Sequence, residues 1–132
     1  MVVLDTNALI FDALNPARLS RKARGFIERA HTRNDLCCSD ISLWEIAMLV
    51  AKGRLDPGTS ALEFMNLALA ARSIAMLPIT PEIAELSTKL PEAVSADPAD
   101  RLIAATAIHH GATLISTDTN LKKAGLSVAV VG

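Results

Sequence analysis

The chain has 132 residues and a mass of 14.0 kDa, enough for one domain whose core needs neither disulfides nor a structural metal. Hydrophobic residues make up 51% of it, which excludes intrinsic disorder, and no uninterrupted apolar run approaches the roughly 18 residues of a membrane span. The net charge of −1 hides an asymmetry, because residues 17–33 hold Arg18, Arg21, Lys22, Arg24, Arg29 and Arg33 against Glu28 alone, leaving −6 for the remainder. Such a basic stripe beside an acidic remainder either tracks phosphates or is the solvated face of a helix.

Short apolar runs alternate with longer amphipathic ones. Val2–Asp5 reads as a buried strand, followed by a short helix through Ala8–Leu14. Ser20–His31 reads as a surface helix with Ala23, Phe26, Ile27 and Ala30 on one stripe. Asp35–Ser39 is a second strand, and Ser42–Lys52 a helix expected to bury Leu43, Ile46, Ala47 and Val50. Gly53, Pro57 and Gly58 punctuate the turn into a helix over about Ser60–Arg72. Ile74–Ile79 gives a third strand and Pro81–Leu90 a further helix. Asp97-Pro98 opens the most apolar helix, which runs to His110 with Gly111 as its left-handed terminator. Ala112–Thr117 is a fourth strand, Leu121–Ala124 a helical turn and Val128–Val131 a fifth strand. Strands alternating with helices imply a parallel sheet covered on both faces, within a single domain over residues 1–132.

Cys37 and Cys38 are adjacent in an expected strand, where neighbouring side chains point to opposite faces, so they read as two small buried hydrophobes in a reducing cytoplasm. The opening Met1-Val2-Val3-Leu4-Asp5 lacks the basic region of a signal peptide.

In open α/β sheets, ligands bind beyond the carboxyl ends of the strands. Asp5 and Asp118 end the first and fourth expected strands, while Glu45 and Asp100 fall in the first turns of helices near the same rim. Each has a structural explanation. Ser42-x-x-Glu45 has capping-box spacing, Asp97-Pro98-Ala99-Asp100 supplies an N-cap, a proline at the first helical position and an acid in the first turn, and Asp118 suits a cap. Asp5 is harder to explain structurally, since a carboxylate at the mouth of a central strand is desolvated with no cationic neighbour in sequence. Four acids on one rim raise one another's pKa unless a cation is present, and oxygen ligands without Cys or His suit Mg²⁺ or Mn²⁺. No Ser-His-Asp or Cys-His arrangement competes, His31, His109 and His110 suit helix C-termini, and no phosphate-binding glycine loop is present.

The residues Leu4-Asp5-Thr6-Asn7-Ala8-Leu9-Ile10, Trp44-Glu45-Ile46, Asp97-Pro98-Ala99-Asp100-Arg101-Leu102-Ile103-Ala104-Ala105 and Ile115-Ser116-Thr117-Asp118 together resemble a PIN-domain ribonuclease, in particular the VapC toxins of bacterial VapBC toxin–antitoxin pairs. The resemblance spans essentially the whole chain in the right order, and the Asp-Pro-x-Asp-Arg block is its most specific part. Ala99 departs from it, standing where such proteins often carry Phe, a difference expected to affect packing. The resemblance implies a three-layer α/β/α sandwich with a central parallel sheet of about five strands. It also implies a Mg²⁺- or Mn²⁺-dependent endoribonuclease, a homodimer and a cognate antitoxin that covers the site. By position, Asp5, Glu45, Asp100 and Asp118 correspond to the acidic cluster, with Asp5 and Asp100 as main metal ligands. Asn7, Thr117 and Asp97 are expected to support them.

The expected chemistry is hydrolysis of an RNA phosphodiester by a metal-activated water. Arg18, Arg21, Lys22 and Arg24 are expected to grip RNA, with Lys122 and Lys123 as additions. Phe26, Phe64 and Trp44 read as core, so aromatic base stacking is not expected. A Mg²⁺ phosphohydrolase, a DNA nuclease and a non-catalytic interaction domain remain open as rivals.

Overall fold

A computed structural model describes residues 1–132. The elements in chain order are β1 (Val2–Leu4), α1 (Thr6–Leu14), a 3₁₀ turn (Pro16–Arg18), α2 (Arg21–Thr32), β2 (Leu36–Ser39), α3 (Ile41–Ala51) and α4 (Ala61–Ala71). They continue through β3 (Ala75–Leu77), α5 (Pro81–Lys89), α6 (Pro98–His110), β4 (Thr113–Ile115), α7 (Thr119–Lys123) and β5 (Val130–Val131). All strand pairs are parallel, in the order β3-β2-β1-β4-β5. Every strand and helix read from the sequence exists, with ends that shift by a few residues; the 3₁₀ turn alone was not anticipated.

The sheet separates two apolar layers. Val2, Leu4, Leu36 and Cys38 pack with Leu9, Ile27, Ile46 and Phe64 on one face, while Val3, Cys37 and Leu114 pack with Ile103, Ala107 and Leu121 on the other. The two cysteines therefore belong to opposite layers, free and buried, and burial pushes the Cys38 thiol up to about 12. That is the inert arrangement expected of them. The result is a three-layer α/β/α sandwich with a central five-stranded parallel sheet, as expected.

Two local departures have simple causes. β3 is shorter than the expected Ile74–Ile79 and exposes Ala75 and Met76, because it is an edge strand and Pro78 cannot donate to a ladder. In α3 the buried residues are Ser42 and Ile46; Leu43, Ala47 and Val50 are only half-buried. The helix is rotated from the expected stripe so that a polar edge, Ser42 and Glu45, faces the start of α1.

The strand order fixes where a ligand can sit. From β1 the chain proceeds outward through β2 and β3, then returns to place β4 on the other side of β1. The switch point therefore lies between the carboxyl ends of β1 and β4, where neighbouring connections diverge and leave a crevice. Asp5 follows β1 there, its N–H bonded to the Ile115 carbonyl at 3.0 Å, and Asp118 follows β4.

Candidate metal centre

Asp5 is the N-cap of α1, and its carboxylate accepts from the Ala8 N–H at 2.7 Å. It is only 9% exposed. Burial raises its pKa to about 6; the Ala8 amide and Ser116 hydroxyl pull the other way, and the charges of Asp100 and Asp118 push it further up.

Glu45 lies in the second turn of α3, which starts at Ile41 and carries Asp40 at its N-cap position. The capping box suggested by Ser42-x-x-Glu45 is therefore not formed. Instead the Thr6 hydroxyl donates to Glu45 Oε1 and lies 3.0 Å from Ser42 Oγ, tying α1 to α3. Partial burial raises the Glu45 pKa, Thr6 opposes it, and Asp100, Asp97 and Asp5 add repulsion.

Asp97 caps α6 by accepting from the Ala99 N–H at 3.0 Å. Asp100 sits one turn later and accepts from Ser95 Oγ at 3.0 Å. Its pKa is raised by burial and by the charges of Asp97 and Asp118. Ala99 between them is buried, consistent with a packing position. Asp118 caps α7 through the Asn120 N–H at 2.8 Å, as anticipated.

Carboxylate oxygens of Glu45, Asp97 and Asp100 all lie within 4.8 Å of one another. Asp97, although exposed, thus stands within the close-set group, beyond the supporting place the sequence suggested for it, while Asp5, the most buried of these acids, and Asp118 couple to that group through charge. No Lys or Arg offsets these acids: the ion pairs of the molecule join Met1 to Asp35, Arg72 to Asp12 and Glu28, and Lys89 to Glu85. An all-oxygen donor set, crowded, partly desolvated and without a protein cation, fits a hard divalent ion.

Hydrogen bonds expected of Asn7 and Thr117 are made one residue earlier in each case. Thr6 contacts Glu45, and the Ser116 hydroxyl acts on Asp5 and accepts from the Asp118 N–H at 3.1 Å. Asn7 is exposed and Thr117 half-buried, and neither makes a side-chain hydrogen bond. Trp44, expected in the core, is 59% exposed beside Glu45, because the rotation of α3 turns it to solvent. Phe64 is buried, and Phe26 is partly buried with Arg29 stacked over its ring.

The basic stripe adjoins this rim. The Ser20 N–H bonds to the Gly132 carbonyl at 3.3 Å, which ties the start of α2 to the carboxyl end of β5. Arg21, Lys22 and Arg24 are exposed there and enter no ion pair, and Arg18 stacks on Phe11 with its guanidinium carbon 4.3 Å from the ring centroid. A separate cavity of about 350 Å³ opens between α1 and α4, lined by Leu9, Leu14, Phe64 and Ala68 with Asp12 and Arg72 at its rim, and includes none of the clustered acids.

These features meet in a known class: the chain belongs to the PIN domain family, whose profile matches residues 2–126. Within it, the chain is 36% identical over 121 residues to ribonuclease VapC22 of Mycobacterium tuberculosis, covering 92% of this chain and 89% of the relative, and is a homologue of that VapC ribonuclease. The fold is shared with the crystal structure of VapBC2 from Rickettsia felis bound to a DNA fragment from its promoter (TM-score 0.73, 19% identity, 98% of this chain and 97% of the other). It is also shared with a toxin–antitoxin complex from Klebsiella pneumoniae (TM-score 0.63, 21% identity, 100% and 97%). No helix is long and apolar enough to cross a membrane.

Proposed function

We propose that residues 1–132 form one catalytic unit, a Mg²⁺- or Mn²⁺-dependent endoribonuclease acting as the toxin of a VapBC-type pair in the cytoplasm. The observation that carries this reading is the convergence of five carboxylates from four separate stretches of chain near the β1/β4 switch point, with no basic side chain paired to them. Homology to a VapC ribonuclease supports RNA as the substrate, and the toxin–antitoxin complex among the structural neighbours supports an antitoxin partner. Exposed Trp44, Leu62, Leu67 and Met76 support a homodimer.

Glu45, Asp97 and Asp100 would hold the ion, with Asp5 and Asp118 completing the cluster. When bound, a divalent ion supplies Lewis-acid polarisation of the phosphodiester and makes water more acidic. Thr6 holds one oxygen of Glu45, leaving the other for the ion; the flanking carboxylates of the cluster would take a proton from the water that attacks phosphorus in line while the bond to the 3′ oxygen breaks, and that oxygen would leave with a proton from solvent. Ser95 orients Asp100, and Ser116 and the Ala8 amide orient Asp5. Arg18, Arg21, Lys22 and Arg24 would hold phosphates flanking the scissile bond, offsetting the repulsion an acidic rim exerts on RNA.

Asp100→Asn keeps the Ser95 contact and leaves the Asp97 cap untouched, so the fold should persist while RNA cleavage disappears. Excess EDTA should stop the wild type. Undiminished cleavage in EDTA, or full activity of the variant in Mg²⁺, would contradict the mechanism. Parallel incubation with RNA, DNA and a small phosphate ester separates the ribonuclease from a DNA nuclease and a phosphohydrolase.

A further inference from the structure

The segment between α5 and α6, Leu90–Asp97, has no regular structure, yet it delivers Ser95 and Asp97 to the acidic cluster. Two contacts fix it. Val94 is fully buried among Val3, Ile103 and Leu114, which anchors the segment, but apolar contact is not directional. The directional contact comes from Arg101, one position beyond Asp100 on α6. Its Nε donates to the Ser87 carbonyl at 2.9 Å, Nη1 donates to the Pro91 and Ser95 carbonyls at 3.1 Å each, and Nη2 donates to the Leu90 carbonyl. Ser87 lies in the last turn of α5, where carbonyls lack helical partners. Arg101 enters no ion pair, so its charge neutralises none of the acids; its donors all go to backbone.

Ser95 is consequently held at both ends. Its carbonyl accepts from Arg101, while its hydroxyl donates to Asp100 Oδ2 and accepts from the Asp97 N–H, each at 3.0 Å. We propose that Arg101 is a positioning residue, fixing the 87–97 segment so that Ser95 holds Asp97 and Asp100 at the spacing a divalent cation requires. The inference rests on the reading of the acidic cluster as a metal centre. A planar fork with five N–H donors can meet four carbonyls from one end of α6, and an ammonium with three donors at a single point cannot.

The test is calorimetric titration of Mn²⁺ into the full chain without RNA, for wild type, Arg101→Lys, Ser95→Ala and the double variant, with melting temperatures measured alongside. Arg101→Lys and Ser95→Ala should each weaken Mn²⁺ binding tenfold or more, the range typical of groups that orient metal ligands, about 10- to 100-fold. The double variant should be little worse than the weaker single one, because both act through one path. Ser95→Ala should melt with the wild type, and it keeps the proposal testable if Arg101→Lys fails to fold. Unchanged Mn²⁺ affinity in the variants, with or without lost thermal stability, would leave Arg101 a structural residue only. Fully multiplicative losses would refute the shared path. A wild type that binds no Mn²⁺ would overturn the metal centre itself, a distinguishable failure.

Discussion

Asp5→Asn should stabilise the metal-free protein at neutral and alkaline pH, against the usual direction of mutations at buried polar sites. The Asp5 carboxyl has an ordinary pKa of 3.8 and is held at about 6 in the fold. A pKa raised by folding means that the native state binds the proton more tightly, so its contribution is complete below pH 3.8 and is lost as pH rises through 6. The gap corresponds to about 3 kcal/mol lost at pH 8 and about half that at pH 5. Asparagine carries no charge, caps a helix as well as aspartate does, and can still accept from the Ala8 N–H. For a chain of this size 1 kcal/mol is about 3.6 °C, so the variant should melt about 10 °C above wild type at pH 8 in EDTA, with the advantage shrinking towards pH 4. Raised pKa values at Glu45 and Asp100 act in the same direction, because removing one charge relieves both. Saturating Mn²⁺ should reverse the ranking, stabilising the wild type more than the variant. The assay is thermal unfolding from pH 4 to 8 with EDTA or Mn²⁺. A variant less stable than wild type at pH 8 in EDTA, or a difference independent of pH, would refute the reasoning.

Arg72→Ala should cost about 3 kcal/mol in urea unfolding, because Arg72 grips Asp12 through two bonds of 3.0 Å and Glu28 at 2.8 Å, and Asp12, whose side chain is 6% exposed, would lose its partner. A loss below about 1 kcal/mol would show that water replaces the guanidinium. Affinity of the Asp100→Asn variant for single-stranded RNA should fall with salt at a log–log slope of about −3 for four phosphate contacts, and Arg21→Ala with Lys22→Ala should flatten it by about 1. A flat response in the parent would remove the basic stripe from the RNA interface.

The parts of this fold that the sequence exposes are those set by local pattern. Val2-Val3-Leu4 can only be a strand buried on both faces, and Asp97-Pro98 followed by an apolar run can only start a helix. Asp5, Asp97 and Asp118 were legible for the same reason, each standing where one element gives way to the next, and Asp100 because it falls in the first turn of the helix that Asp97 caps. The rotation of α3 was not. Its apolar residues are spread around the helix, so the buried side is chosen by Thr6 and the sheet, which sends Trp44 outward and Glu45 inward. Thr6, Ser95 and Ser116 are short polar residues with no feature in the local pattern that sets them apart, and only the folded structure shows the carboxylates they meet. Asp97 and Arg101 have the spacing of a helical ion pair, yet Arg101 turns away to the backbone of another segment. The exposure of β3 was equally hidden, because its apolar composition does not reveal that it lies at the sheet edge.

Everything functional here depends on one divalent ion being held between the carboxyl ends of β1 and β4. Anomalous scattering from crystals soaked in Mn²⁺ addresses that without any assay of activity. A peak within bonding distance, about 2.2 Å, of oxygens from Glu45, Asp97 or Asp100 and beside Asp5 is the expected result. Ordered carboxylates with no peak among them at saturating Mn²⁺, or a peak only at some other place on the surface, would contradict it.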